Sequence, residues 1–419
     1  MGLRPALGPA DVAGRRPAPR DPRRQRQGRL RPSGRPLTAA GPPESAAVAS
    51  LGAELEALGP PGGGIIDAHT HLGLDEDGRS LDLASLLRQL DEVGPDAAAC
   101  VFALHDPQRH PAYRAPNDRI LAWAAESGGR LFPYCRLDPA DDPVGEAQRC
   151  LGLGARGIKL HPRAQAFGFG NAAAEAIFEV ARDAGVPILI HAGRGMPRMD
   201  PLADLALRFP EVALVLAHAA IADQGMFASR LAGHPAVLYD TSTLSPADVV
   251  ELFARVPAER IVFASDAPYG QPDAGLFLTL RAAAYAGLDA GERALVAGGT
   301  MRAVLEGGPP PSATAPRLAP DRLVNGRLAR VGTYLAMAFG GAMGAGPPLR
   351  LPPAMPGVVL ARAACRDPDP GAAGPALERV DGLLAAAEQL AAADADSMPA
   401  FFLLRAAAVI AATEPLPQP

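Results

Sequence analysis

The sequence predicts an α/β protein, a (β/α)8 TIM barrel with a disordered basic N-terminal head and a small helical C-terminal appendage. Three observations predict it. Short runs rich in Val, Ile, Leu and Phe recur about every 30 residues from residue 64 to residue 268. The runs are almost continuously apolar, as parallel strands covered on both faces require. They number eight, and eight βα units over residues 64–307 match the ~250 residues of a closed barrel. A doubly wound open sheet is the competing fold. It needs no eighth strand and usually carries a Gly-rich phosphate turn, which the sequence lacks.

The expected strands are residues 64–72 (GIIDAHTHL), 97–104, 131–138, 155–162 (ARGIKLHP), 186–193 (VPILIHAG), 212–220 (VALVLAHAA), 236–243 and 260–268 (RIVFASDAP). Ala- and Leu-rich stretches with helical spacing separate them. Asn171 is placed to cap the helix that Gly185 and Pro187 end, and Ser245 with Pro246 opens another that runs through Arg255.

Outside the barrel the texture changes. Residues 1–45 alternate Arg, Pro and Gly without periodicity and read as disordered. They are either a stretch translated upstream of the true start or a tail for an anionic surface. Residues 308–419 hold Pro- and Gly-rich linkers and a helical hairpin, residues 376–393 and 398–413.

The whole chain of 419 residues carries a formal charge of −5, which excludes a globally basic nucleic-acid binder. Residues 1–37 hold ten Arg against Asp11 and Asp21, so the remainder stands at −13. Hydrophobic residues make up 48%, enough for a large core. No run of 18 or more strongly apolar residues appears, and the head has no apolar signal region. The four cysteines form no CxxC pair, so neither a disulfide framework nor a zinc knuckle is indicated. A soluble protein of the reducing cytoplasm is expected.

The polar residues that such strands should not tolerate fall in one place. His69 and His71 end the first strand, Lys159 and His161 the fourth, His191 the fifth, His218 the sixth and Asp266 the eighth. The C-terminal strand ends form the mouth of a barrel, where active sites lie. Two-residue alternation points His69 and His71 inward and leaves Ala68 and Thr70 to the helix layer. With His191 and Asp266 they make an N3O set suited to one divalent first-row cation such as Zn2+. A lone buried His is more often a hydrogen-bonded core residue, but each of these would cost a few kcal/mol without a partner, on the order set by desolvation. Their coincidence at the ends of separate strands favours a metal site. His105, His110 and His234 lie in loops or helix flanks and read as surface residues.

Lys159 is the only lysine; the other 39 basic residues are Arg. Its place at the mouth points to a task that a guanidinium does not perform. His161 shares its direction and is either a site or a packing residue. Among the loops, Arg163, Gln165, Phe167 and Phe169 suit a mobile lid after strand four. Arg163, Arg194 and Arg198 are candidate clamps for a substrate carboxylate.

Taken in order, GIIDAHTHLG, GIKLHPRAQAF, VPILIHAG, VLAHAA and IVFASDAPYG resemble the landmarks of the amidohydrolase superfamily, specifically its amidohydrolase-related (amidohydrolase 2) group. The resemblance covers about residues 65–305. It implies a metal-dependent barrel enzyme in which His69, His71, His191 and Asp266 bind metal and His218 contacts substrate or a second metal. For Lys159 it implies carboxylation and bridging of two metals, with His191 and His218 on the second; the residue by itself reads equally as an ammonium that pairs with a substrate carboxylate, or as a neutral structural group. The group usually has an Asn near the start of its last helix; here the sequence reads Gly298, Gly299, Thr300, Met301, Arg302, which leaves the anchoring of that helix open.

The expected function is metal-dependent hydrolysis of a C–N or C–O bond (amide, lactone or ester) in a small molecule. Asp266 would act as general base and then acid, and His218 would polarise the carbonyl. The alternatives are a metal-dependent decarboxylase of an aromatic or unsaturated acid, and a scaffold that has lost turnover. The partner expected is a small-molecule substrate, with no nucleic acid and no membrane; whether the chain forms a homo-oligomer is left open.

Overall fold

A computed structural model describes residues 43–60, 63–193, 198–318, 325–344, 355–366, 368, 370–394 and 397–414. Eight parallel strands follow one another around the sheet: β1 (Ile66–Leu74), β2 (Ala98–Ala103), β3 (Leu131–Arg136), β4 (Gly157–Leu160), β5 (Ile188–Ile190), β6 (Leu214–Leu216), β7 (Val237–Asp240) and β8 (Ile261–Val262). A two-residue arm, Ser80–Leu81, folds back antiparallel on the end of β1. Beyond β8 the chain runs on beside β1 and closes the cylinder. Ala68 N donates to Phe263 O at 2.9 Å, Asp266 N to His69 O at 2.8 Å and His71 N to Ala267 O at 2.7 Å. The fold is the expected TIM barrel.

Along each strand, alternate residues divide between two cores. Cys100, Phe102, Leu189, Val215, Leu238 and Val262 fill the interior. Ile158, Leu160, Ile188, Ile190, Leu214 and Ile261 face the helices. The alternation fails once, in β1, where the register slips between Asp67 and Thr70. Such an irregularity places two successive residues on one side of a strand. Ala68 therefore joins Ile66 in the interior and does not face the helix layer as strict alternation predicts.

The helices are α1 (Pro43–Leu58), α2 (Leu83–Val93), α3 (Arg114–Glu126), α4 (Pro143–Gly152), α5 (Ala172–Ala184), α6 (Asp200–Arg208), α7 (Gln224–Arg230), α8 (Pro246–Arg255), α9 (Pro272–Tyr285), α10 (Ala290–Ala294) and α11 (Thr300–Leu305). Asn171 accepts from Ala174 N at the start of α5, and Gly185, at φ 64°, ends that helix. Ser245 and Asp248 form a reciprocal capping box on α8. One histidine read as a surface residue is not one: His234 is buried, bonding Ala206 O at 2.9 Å and accepting from Ala236 N at 3.1 Å.

Met301, Val304 and Leu305 of α11 plug the N-terminal end of the barrel. Their anchoring uses backbone rather than an Asn side chain. Phe263 N donates to Val296 O at 2.9 Å, and a Cβ at Gly298 would strike the Gly64 carbonyl and Ile66 N. Glycine is what allows this approach.

Four further helices follow: α12 (Gly326–Gly344), α13 (Pro356–Cys365), α14 (Gly374–Ala393) and α15 (Met398–Thr413). The last two form the expected hairpin, and α15 packs on α9 and α8 while α1 packs on α9 and α14. Barrel helix α9 is thereby buried on nearly all sides. Its Arg281 holds the junction, donating to Thr413 Oγ1 at 2.9 Å and to the carboxylates of Glu54 and Glu414. No helix among the described residues is long and apolar enough to cross a membrane.

Gly298→Ala is expected to lower stability by about 1–3 kcal/mol, the usual range for an overpacked core. Chemical denaturation checks this, and a variant as stable as the parent would contradict the close approach.

Candidate metal centre

The closing seam of the barrel sets the site. Because Asp266 N bonds His69 O, the Asp266 side chain lands between the imidazoles of β1. Its Oδ1 lies 3.1 Å from His69 Nε2 and 3.1 Å from His71 Nε2, and those nitrogens are 3.2 Å apart. A tetrahedral cation with ligand bonds of 2.0–2.1 Å would set its donors about 3.3 Å apart. These three donors fit one face of that tetrahedron, and the group can hold a metal ion.

His69 is braced from behind by hydrogen bonds, His71 by ring packing alone, its Nδ1 being buried without a partner. His69 Nδ1 lies 2.8 Å from Asp240 Oδ2 at the end of β7. Phe102 packs against both rings, at centroid distances of 5.2 Å and 4.6 Å. Asp67, fully buried, accepts from His69 N at 3.1 Å and from Ser265 N at 2.9 Å. Burial pushes its carboxyl up to about 6 despite those bonds. Asp266 adopts φ 62°, a left-handed conformation that a non-glycine residue holds only when its surroundings enforce it.

At Asp266 and His71 the charges suit a deprotonated ligand. Burial opposes the charge on Asp266, but His69, His71 and His218 outweigh it and hold the carboxyl well below its ordinary range. Burial pushes His71 down to about 3, offset only in part by Asp266. At His69, burial and Lys159 act downward, but Asp266 and Asp240 prevail and the pKa is raised.

His191 and His218 form a second pair beside this group. His218 Nε2 is 3.1 Å from His191 Nδ1, and His218 and His69 rings are 5.3 Å apart. His191 Nε2 is buried and has no hydrogen-bond partner. A Cβ at Gly193 would press on that nitrogen, so the glycine keeps the space open. His161 stacks flat on His191, with centroids 3.9 Å apart and planes at 11°. Backbone strain accompanies His218 too, at φ 56°, and Asp240 Oδ1 accepts its N–H at 2.8 Å.

Lys159 is fully buried, with Nζ 3.2 Å from His69 Nε2 and 4.5 Å from the Phe102 ring centroid. Burial lowers it to about 7. Its register partner on β3 is Arg136, 1% exposed, which donates to Ala103 O at 3.0 Å and leaves Nε without a partner. Neither cation makes an ion pair with a carboxylate among the described residues.

Of the expected site residues, the structure brings His69, His71 and Asp266 into one cluster, sets Lys159 against it, and links His191 to it through His218. His161 reaches it only through His191. Arg163 is exposed in the loop after β4, Arg198 is exposed and paired with Asp200, and Arg194 lies outside the described residues. Sequence reasoning passed over Asp240, Arg136 and Asp67. Each is a charged residue in or at the end of an apolar strand, the same signal that identified Asp266. His105, read as a surface residue, is half-buried at the mouth and bonds Tyr113 Oη at 2.8 Å; His110 is exposed.

A closed parallel barrel with a His, His, Asp cluster at its mouth defines a class, that of the metal-dependent barrel enzymes. The chain belongs to the amidohydrolase family, which it matches over residues 66–306. Among solved structures it is similar to the 2,6-dihydroxybenzoate decarboxylase from Rhizobium, at 16% identity over 58% of this chain and 98% of that one, with a TM-score of 0.43. It is similar also to the Metarhizium anisopliae IDCase (15% identity, 59% and 98% covered, TM-score 0.47). A third is an Acinetobacter baumannii protein described as a probable 2-pyrone-4,6-dicarboxylic acid hydrolase (14% identity, 58% and 100% covered, TM-score 0.45). Comparison with curated proteins returns no match.

His71→Ala removes one of three converging donors. Metal analysis of protein purified without chelator is expected to fall at least tenfold relative to the parent. Equal metal content would contradict its place as a ligand.

Proposed function

We propose that the protein is a metal-dependent hydrolase of a C–N or C–O bond in a small molecule, an amide, lactone or ester. One observation carries the reading: the carboxylate of Asp266 lies 3.1 Å from two converging imidazole nitrogens at the mouth of the barrel. His69, His71 and Asp266 would hold one divalent ion, zinc by the borderline character of the donors, and the orphaned Nε2 of His191 is the proposed fourth ligand. Such an ion, when bound, supplies Lewis acidity strong enough to ionise water near neutral pH. Asp266 takes the proton of the attacking water on its carboxylate and returns it to the leaving nitrogen or oxygen. Lys159 offers buried N–H donors to the negative charge that develops on the substrate, where low polarity makes each donor count for more. Arg163 and Arg194, which follow β4 and β5 in the sequence, are the proposed contacts for the remote part of the substrate, together with His161.

A second reading, decarboxylation of an aromatic or unsaturated acid, is favoured by one feature. Lys159 and Arg136 are buried side by side with no ion pair to a carboxylate among the described residues, and an acidic substrate would supply one. We place either activity in the cytoplasm, consistent with four buried free cysteines. A small molecule is the proposed partner, in a chain that is monomeric or assembles with its own copies.

Incubation of the zinc-loaded protein in 18O-water with a panel of amides, lactones and esters is expected to give products carrying one labelled oxygen. Release of CO2 from hydroxybenzoates, with no label in the product, would overturn hydrolysis in favour of the second reading. Activity on neither panel in a protein that binds no zinc would overturn both.

A further inference from the structure

Asp240 reaches both halves of the site from a strand that contributes no expected ligand. It is fully buried, and every polar contact of its carboxylate serves the histidines or the residue that braces them. Oδ2 lies 2.8 Å from His69 Nδ1. Oδ1 accepts from His218 N at 2.8 Å, from Ser242 N at 3.0 Å and from Ser242 Oγ at 2.6 Å.

These contacts decide which ring nitrogens carry hydrogen. A carboxylate only accepts, so His69 has its hydrogen on Nδ1, and the nitrogen facing His71 and Asp266 is the one a cation can take. Ser242 spends its single hydroxyl hydrogen on Asp240, so its Oγ, 2.9 Å from His218 Nδ1, meets that ring as an acceptor. The Ser242 carbonyl, 3.2 Å from the same nitrogen, is an acceptor as well. The Thr243 hydroxyl, 2.9 Å away, can turn a lone pair to the same nitrogen; with the carbonyl and Ser242 Oγ able only to accept, Nδ1 carries the hydrogen, and neutral His218 keeps a bare Nε2. That lone pair faces His191 Nδ1 at 3.1 Å, so His191 donates from Nδ1 and its own buried Nε2 is left bare.

We propose that Asp240 is the positioning residue of the site: directly at His69, and through Ser242 and His218 at His191, it fixes the tautomers that turn lone pairs towards a bound cation. The inference rests on the metal-centre reading and adds a residue outside the ligand set. It also changes what His218 offers. A bare Nε2 accepts or ligates; it does not donate to a substrate carbonyl as the sequence suggests.

The test is zinc affinity by chelator competition, together with 15N–1H correlation spectra of the histidine rings in the zinc-loaded full chain. The parent is expected to show His69, His191 and His218 protonated at Nδ1 and not at Nε2. Asp240→Asn is expected to weaken zinc binding by about 10–100-fold, the usual effect of losing such a partner. Ser242→Ala removes the hydroxyl alone; it should disturb the His218 and His191 resonances more than those of His69, whose Nδ1 lies 3.4 Å from Ser242 Oγ but 2.8 Å from Asp240 Oδ2. Zinc affinity within twofold of the parent for Asp240→Asn, or His218 protonated at Nε2 in the parent, would overturn the proposal. The spectra decide even if Asp240→Asn does not fold. A parent that binds no zinc would instead overturn the metal-centre reading.

Discussion

The bonds that join β1 to the chain beyond β8 are the constraint on which the site depends. Eight short strands in a row make only a curved sheet, and its first and last members must meet to bury their edges. Here they meet through Ala68, His69 and His71 on one side and Phe263, Asp266 and Ala267 on the other. The residues that close the barrel therefore include, or adjoin, those whose side chains converge at its mouth. Asp67 reinforces the seam by accepting one N–H from each side. Fold closure and ligand geometry are one arrangement.

That arrangement concentrates unfavourable features, and the surroundings enforce them. Non-glycine residues in left-handed conformations, Asp266 and His218 among them, occur at the ends of the strands. Asp67, Asp240, Lys159 and Arg136 are charged groups withdrawn from water, with Asp67 Oδ2 and Arg136 Nε lacking any partner. Strain and unsatisfied polar groups cluster where a protein must preorganise a charged site, since an interior without them would be more stable but inert. The rest of the fold compensates with apolar layers inside and outside the strands, and with α9 enclosed by α1 and α15. Arg281 ties those helices to the barrel, so the segments outside the eight βα units complete the packing of its last unit.

Much of this is legible along the chain because strand periodicity and desolvation act locally. An apolar run that ends in His, Lys or Asp is anomalous wherever it occurs, and the eight runs count out the barrel without reference to contacts. His69, His71, Lys159, His191, His218 and Asp266 all carry that mark. Asp240 and Arg136 carry it as well, at the ends of β7 and β3, but their partners are remote in sequence and their roles are invisible without them. His234 is the opposite case, a histidine whose loop setting hides two backbone bonds that bury it.

Composition and periodicity by themselves determined the eight-stranded barrel, the positions of its strands and the inward residues at their ends, because each depends on what a residue's immediate neighbours can bury. The tertiary structure alone decided three things. The slip in β1 places Ala68 inside, which strict alternation does not allow. Backbone contact at Gly298, rather than an Asn, seats α11. And one carboxylate, Asp240, reaches two histidines 171 and 22 residues away. All three are set by distances between segments far apart in the chain, which follow from closure of the barrel and not from any local preference.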